Sequence, residues 1–474
     1  MNRRIFLQST GAAFAEPAAT RPNIVILFTD DQRFDTIGAL GHPEVKTPNM
    51  DRLVRSGVAF TNAHIMGGTI PAVCAPSRAM LMTGQTLFHI HDSIIAPDAA
   101  KRPKRPFDLM PETFGKNGYM TYGIGKWHNG PALYARSFKG GKNIFFGGMS
   151  DQTKVPVQSF DAAGKYSKER TQVASQHSSN LFSDAAVDFV RGRKGNTEPF
   201  FLYVAFTSPH DPRTPPPEFA AMYSPERVQM PPNFLPQHPF DNGELKVRDE
   251  LLAPFPRTPD VIRRHIADYY GMISHVDAQI GRVVDILDET GQRDNTIVVF
   301  IADNGLALGQ HGLMGKQNLY EHSVRVPMVI GGPGLPRGKK SDAFCYLLDL
   351  FPTLCELTGL STPGTVEGKS LASIARGSQS KVRDSVFYAY RQFQRGVHAG
   401  DWKLIRYNAG GVRNTQLFNL KDDPHETRNL ASEAKNAGRV RELSAFLKEW
   451  MQNTDDPLDL DKPDWGAAAS ALTA

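Results

Sequence analysis

Cys74 heads the run Cys74-Ala75-Pro76-Ser77-Arg78, and Thr83-Gly84 closes the segment. A lone cysteine is most often a small buried apolar side chain, so its neighbours decide its meaning. At average residue usage a Cys-x-Pro-Ser-Arg string arises by chance in only about one in a thousand chains of this length, which marks Cys74 as a group with a chemical task. Arg78 falls on the same side of a helix as Cys74 if the segment past Pro76 is helical, where its guanidinium can hold oxygens at the nucleophile. Two further pairs, Asp30-Asp31 and Asp303-Asn304, offer only oxygen ligands, which favours a hard cation such as calcium or magnesium over zinc. Either pair alone could equally cap a helix or close a turn. Two pairs, each at the end of an apolar run, favour a metal site. Lys126 and His128 lie two apart, so an extended strand end presents both on one face. His210, just past another apolar run and before Asp211-Pro212, occupies an unusual place for a core histidine.

These groups need a frame that brings them together across the sequence. Four apolar runs have the character of buried parallel strands: Asn23 to Thr29, Met120 to Ile124, Phe200 to Phe206 and Thr296 to Ala302. Each leads directly into the polar residues just named. In open parallel sheets the ligand crevice lies beyond the carboxyl ends of the strands, so the topology predicts one shared site. Ile266, Tyr269, Tyr270, Ile273, Val276, Ile280, Val283, Val284 and Leu287 recur at helical spacing, with Gly291 as a stop, and predict a long helix packed on the sheet. The segment from Pro209 to Pro259 is too rich in proline for long regular elements and predicts an ordered excursion that walls the pocket. Strand-like runs such as Val397 to Arg406, then a helix bearing Val440, Leu443, Phe446, Leu447, Trp450 and Met451, predict a smaller C-terminal α+β subdomain. The expected fold is α/β: a large, mostly parallel sheet flanked by helices over residues 21–374, the subdomain over 375–454, and a patternless tail over 455–474.

A chain of 474 residues with 40% hydrophobic content can bury a large core. Its formal net charge of +5 is small for this length and does not suggest nucleic-acid binding, though it suits anionic substrates. No stretch is long and apolar enough for a transmembrane helix. Three cysteines make no disulfide framework; Cys345 and Cys355 read as buried thiols. Asn2-Arg3-Arg4-Ile5-Phe6-Leu7-Gln8, followed by Ala13-Phe14-Ala15, resembles a twin-arginine export signal over residues 1–20, which predicts a periplasmic or extracellular protein.

The Cys74 run resembles the modification signature of the type I sulfatases. Asp30-Asp31, Gly125-Lys126-Trp127-His128, Ser208-Pro209-His210-Asp211, Asp303-Asn304 and Lys316 match blocks of that family in its order. The C-terminal stretch Gly400-Asp401-Trp402-Lys403-Leu404-Ile405, with Leu417-Phe418-Asn419-Leu420 and Asp423-Pro424, is similar to its closing subdomain. The resemblance implies an alkaline phosphatase-like fold and a Cys74 oxidised to formylglycine by a formylglycine-generating enzyme. It implies a calcium ion held by Asp30, Asp31, Asp303 and Asn304, which the oxygen of the modified Cys74 also approaches. It further implies that Arg78 holds the nucleophile, that Lys126 contacts the aldehyde hydrate and sulfate, and that His128 takes the proton that triggers sulfate release. His210 and Lys316 would grip the sulfate from the leaving-group side, with His210 as general acid. His311, in the loop between Asn304 and Lys316, reads equally as facing substrate or as stabilising its loop. The leading expectation is hydrolysis of a sulfated carbohydrate. The alternatives are an aryl or small alkyl sulfate hydrolase, a phosphonate or phosphate monoester hydrolase, and a silent sulfated-glycan-binding protein. His89 and His91 have metal-like spacing but no partner cluster and read as structural. The basic run Lys101, Arg102, Lys104 and Arg105 reads as a solvated loop.

Overall fold

The computed structural model describes residues 21–90, 92–95 and 105–466. The expected export signal, His91, and Lys101, Arg102 and Lys104 of the basic run lie outside them. The main sheet has eight strands: β1 (Asn23–Thr29), β2 (Val58–Phe60), β3 (Met120–Lys126), β4 (Gly140–Phe145), β5 (Phe200–Ala205), β6 (Thr296–Ala302), β7 (Met328–Gly331) and β8 (Lys339–Ser341). Their spatial order is β8-β2-β7-β6-β1-β5-β3-β4, and only β7 runs against its neighbours. β1, β5 and β6 are buried from end to end, as their uninterrupted apolar sequences require of strands covered on both faces.

Alternate residues of β1 enter two separate cores. Val25 and Leu27 pack with helices α2 (Ser178–Gly192) and α3 (Pro259–Glu289), which carries the aromatic stripe read from the sequence. Ile24, Ile26 and Phe28 pack on the other side with α1 (Cys74–Thr83) and the C-terminal sheet. That sheet is an antiparallel meander of β9 (Ser385–Tyr390), β10 (Gln394–Ala399), β11 (Trp402–Ala409) and β12 (Val412–Asn419). Its far edge is completed by Gly67–Gly68, a few residues ahead of Cys74, so the C-terminal part is stitched to the segment that carries the nucleophile. Lys403 on β11 reinforces the seam, with its ammonium 2.8 Å from Glu321 Oε1 and 2.9 Å from Glu426 Oε1. No helix among the described residues is long and apolar enough to cross a membrane.

Two expectations are corrected here. Phe446 was placed on the apolar face of the last helix, α4 (Ala437–Asn453), but is 39% exposed. The buried row is Leu443, Leu447 and Met451, four residues apart, and Phe446 sits at its rim. The residues expected to form a patternless tail are packed as far as Gly466. Leu458, Leu460 and Trp465 are buried, and Asp456 forms a two-pronged pair with the buried Arg395 of β10. Apolar residues separated by aspartates and prolines have no regular period, so only tertiary packing reveals them. Trp465→Ala is expected to destabilise the chain by about 3–5 kcal/mol, read as a lower denaturant midpoint with an unchanged slope.

Candidate active site

The strand order β3-β5-β1-β6 sets the carboxyl ends of the four predicted strands side by side, so the polar groups that follow those strands are brought together there. Asp30 and Asp31 follow β1, Asp303 and Asn304 follow β6, Lys126 ends β3, and His210 follows β5. Cys74 is the first residue of α1, and Pro76 in the first turn needs no hydrogen-bond partner for its nitrogen. One ligand atom from each of Asp30, Asp31, Cys74 and Asp303 lies within 4.8 Å of the others. Cys74 Sγ is 3.5 Å from Asp30 Oδ1 and 3.8 Å from Asp31 Oδ1. Lys316 Nζ reaches both Cys74 Sγ at 3.0 Å and Asp31 Oδ1 at 2.7 Å. Lys126 Nζ donates to Asp30 Oδ2 at 2.6 Å, and His210 Nε2 is 3.5 Å from Asp31 Oδ2.

Arg78, one turn beyond Cys74, is wholly buried. Its guanidinium pairs with Asp303 Oδ2 at 2.8 Å, donates to the Lys126 carbonyl at 3.0 Å and lies over the Phe28 ring at 4.6 Å. It therefore fixes the β6 carboxylate and the end of β3 at once. Burial disfavours the charged form of Asp303, but Arg78 and then Lys126 outweigh it and hold the carboxyl below the usual range. Burial and the Asp303 charge push Asp30 upward. The Cys74 thiol is pushed well above its ordinary value by burial first and then by Asp303, so an unmodified Cys74 is a neutral thiol and a poor nucleophile. Burial, with Lys126, Arg78 and Lys316 adding to it, holds His128 well below the ordinary histidine value, so its imidazole is neutral and able to accept a proton.

The donor set suits a hard divalent ion. Three carboxylates and an amide supply oxygen alone, and Asn304 Oδ1 is buried with no hydrogen-bond partner, while its Nδ2 is committed to Asp31 Oδ1 and the Gly305 carbonyl. Asp31 adopts a left-handed backbone, φ 63°, which the Tyr269 hydroxyl secures by donating to the Asp31 carbonyl at 2.7 Å. At the end of β3, Gly125 is required: at φ 83° a Cβ there would stand 2.0 Å from the Ala205 carbonyl oxygen.

Several supporting residues carry no signal in the sequence. Tyr269 reads as one ring of a helical core stripe, yet its hydroxyl secures a metal-ligand candidate. Within the proline-rich excursion Glu250 accepts from the Met314 and Gly315 amides, both at 2.9 Å, and thereby sets the loop that carries Lys316. Arg248 pairs with Asp211, whose own carbonyl accepts from His210 Nδ1 at 2.7 Å, leaving Nε2 to face the cluster.

His311 is not delivered to this cluster. Its ring stacks on Tyr320 with centroids 3.8 Å apart, and its Nε2 lies 3.1 Å from Asn233 Nδ2. Asn233 belongs to the proline-rich excursion, so His311 closes the loop against that wall instead of facing the nucleophile. His89 is structural, with its ring nitrogens on Glu367 and Asp455, and Arg105 of the basic run also pairs with Asp455. A cavity of about 500 Å³, lined in part by Arg33, His42, Tyr270, Glu321, His322 and Glu426, takes none of its lining from the residues of this cluster.

Comparison with known proteins agrees with this geometry. The sulfatase family model matches residues 22–360, and the model described as N-sulphoglucosamine sulphohydrolase, C-terminal, matches residues 309–453. A sulfatase from Formosa agariphila is 30% identical over 452 residues, which span 90% of this chain and 86% of that protein. An N-acetylglucosamine-6-O-sulfatase from Bacteroides thetaiotaomicron is 24% identical over 505 residues, spanning 92% and 87%. The crystal structure of yidJ from Bacteroides fragilis is similar with a TM-score of 0.78 at 25% identity, covering 94% of this chain and 98% of its own. A chain that folds around a buried Cys74 and three strand-end carboxylates, and that matches this family over most of its length, belongs to the sulfatases and is a sulfuric ester hydrolase.

Proposed function

We propose that this enzyme removes sulfate from a sulfated carbohydrate outside the cytoplasm, using a formylglycine made from Cys74 and a calcium ion held by Asp30, Asp31, Asp303 and Asn304. The observation that carries the reading is the meeting of Cys74 Sγ with Lys316 and with the strand-end carboxylates in one buried cluster. When in place, the aldehyde hydrate supplies the oxygen nucleophile and the cation polarises the sulfate oxygens. The chain's own residues do the rest. Asp30, Asp31 and Asp303 balance Arg78, Lys126 and Lys316 in charge, so a divalent cation leaves a positive surplus that favours an anionic ester over a neutral one. Lys126 and Lys316 bracket the nucleophile position and hold the sulfate against it. His210, with Nδ1 tied to the Asp211 carbonyl, presents Nε2 toward the leaving oxygen as proton donor. His128, neutral through burial, receives the proton whose loss frees sulfate.

The preference for a sugar rests on the names of relatives, among them the N-acetylglucosamine-6-O-sulfatase, and on the aminosugar sulfohydrolase model matched by residues 309–453. The twin-arginine-like residues at the N-terminus support export. Sulfate release from a panel of sulfated mono- and oligosaccharides, an aryl sulfate and a matched phosphate ester tests the reading. Release from a sugar sulfate at the highest kcat/KM is the expected result, and preference for the phosphate ester would overturn it. The assignment of His210 has its own check. His210→Ala is expected to slow release from a sugar sulfate by about 10²–10⁴-fold, but release from a nitrophenyl sulfate far less, since that leaving group needs no proton. An equal loss on both substrates would remove the general-acid role.

A further inference from the structure

A second set of metal-ligating side chains lies outside the catalytic cluster. His64, Glu321 and His398 each offer one ligand atom, and these atoms lie within 4.8 Å of one another. They come from three separate elements. His64 sits in the short strand Ala63–His64, ten residues before Cys74; Glu321 opens the helix Glu321–Val324, just past Lys316; and His398 lies on β10 of the C-terminal sheet, opposite Lys403. All three are buried, with relative exposures of 0%, 3% and 5%.

Their hydrogen-bonding leaves ligand capacity uncommitted. His64 Nδ1 is 3.0 Å from the Tyr388 hydroxyl, while His64 Nε2 is buried without a partner. Glu321 Oε1 is held by Lys403, and Oε2 is buried without a hydrogen-bond partner, its nearest cation being Arg325 Nη1 at 3.6 Å. His398 Nδ1 is likewise unpartnered. Buried polar atoms are rarely left unsatisfied, and one on each of three neighbouring metal-ligating side chains calls for a partner. A ligating imidazole donates its outer N–H to a second-layer acceptor, and the Tyr388 hydroxyl oxygen stands where it can accept from His64 Nδ1. The two imidazoles cross at 89° with centroids 6.0 Å apart, and the Phe344 ring lies 4.7 Å from that of His398 and 6.1 Å from that of His64. Glu321 also lines the cavity of about 500 Å³, which gives an ion a solvent route to the carboxylate.

We propose that His64, Glu321 and His398 form a transition-metal site, zinc by ligand type, that cross-links the C-terminal sheet to the two segments flanking Cys74 and Lys316. Two imidazoles and one carboxylate select zinc over the hard cations suited to the oxygen-only cluster. Because the ligands come from separate elements, binding should stabilise the fold rather than serve the reaction directly.

The test uses the full, untagged chain in calcium-containing buffer, carrying Cys74→Ala so that the active-site thiol cannot bind zinc. After incubation with zinc and gel filtration, one zinc per chain is expected by elemental analysis, together with a rise in Tm of a few degrees. The same chain with His64→Gln and His398→Gln is expected to retain none and to show no zinc-dependent Tm shift, while its Tm without zinc stays near that of the parent. Cobalt(II) gives a readout independent of the variants, because a low-coordinate site with imidazole ligands produces intense visible d–d bands that calcium cannot displace. No retained zinc and no cobalt spectrum in the parent overturns the proposal, as does equal zinc retention by the double variant. If the double variant does not fold, the parent's cobalt spectrum decides.

Discussion

Cys74→Ala is expected to abolish sulfate release, with a loss of at least about 10⁴-fold in kcat, while the fold and the carboxylate cluster persist. The thiol is buried and held neutral, so it contributes little as a charge partner in the resting chain. Lys316 keeps its contact with Asp31 when Sγ is removed, and Arg78 keeps Asp303, so the cations and carboxylates remain paired. Deleting one buried sulfur costs about 1–2 kcal/mol, which a domain of this size tolerates. The same reasoning covers chain made in a host that does not oxidise cysteine. Its Cys74 should carry the mass of the free thiol and its turnover should match that of the alanine variant, because a neutral thiol lacks the second oxygen through which sulfate leaves. Peptide mass across residue 74, read alongside sulfate release, links modification to activity. Turnover by the alanine variant within about tenfold of the parent would remove Cys74 from the nucleophile's role. Retained binding of a sulfated glycan with no release by the parent chain, its aldehyde mass confirmed, would instead favour the silent glycan-binding reading.

What the sequence made legible follows from where burial is simplest. β1, β5 and β6 are covered on both faces, so each is a plain apolar run whose end marks the site, and Asp30, His210 and Asp303 could be placed from those ends alone. The end of β3 was less plain, because Gly125 carries the strand past Ile124 to Lys126 through a register shift. Helix α1 is invisible to periodicity for another reason: all ten of its residues are buried, so it has no polar face to alternate with, and the motif rather than any amphipathic stripe betrayed it. The supports of the site were hidden because they act through single polar atoms on otherwise ordinary residues. The hydroxyl of Tyr269 sits on a core helix, and Glu250 lies in a stretch whose prolines speak only of irregularity. His311 was ambiguous for the same reason, since a histidine beside functional residues can serve the loop's closure, and the partner that decides, Asn233, lies in a distant segment. His64 and His398 gave no signal at all, being far apart in sequence and brought near only where Gly67–Gly68, just past His64, pairs with the C-terminal sheet that carries His398.

Acidification from pH 7 to pH 5 is expected to destabilise this protein steeply. His42, His177, His238 and His265 are lowered to about 4, and His275 and His311 to about 3, in each case chiefly by burial. In the unfolded chain each imidazole returns to its ordinary value near 6.5 and takes up a proton that the folded chain refuses. The unfolded state therefore binds more protons throughout this range, so stability rises with pH and falls as pH drops below about 6.5. Each group contributes on the order of 1 kcal/mol of loss by pH 5, and six together amount to several. Three buried carboxylates act in the opposite sense. Burial raises Asp30 and Asp277 to about 6 and Glu426 to about 7, so protonation relieves a strain on the folded state as pH falls. Three groups of similar size cannot offset six, and the net slope stays positive. Near pH 4 the loss deepens as Asp211, held low in the fold by His210 and Arg248, begins to be protonated in the unfolded chain. Denaturant midpoints across this range, paired with proton uptake on unfolding at pH 5.5, measure the effect directly. An uptake of several protons is expected, and an uptake near zero would mean that the buried imidazoles are already charged in the folded state. His275 offers the sharpest single check. Its Nε2 meets Asn180 Oδ1 at 2.7 Å and its ring stands edge-on to His177 at 4.3 Å, so His275→Gln should keep the polar contact while removing a titrating group. That variant is expected to lose less stability than its parent between pH 7 and pH 5, whatever it loses at pH 7.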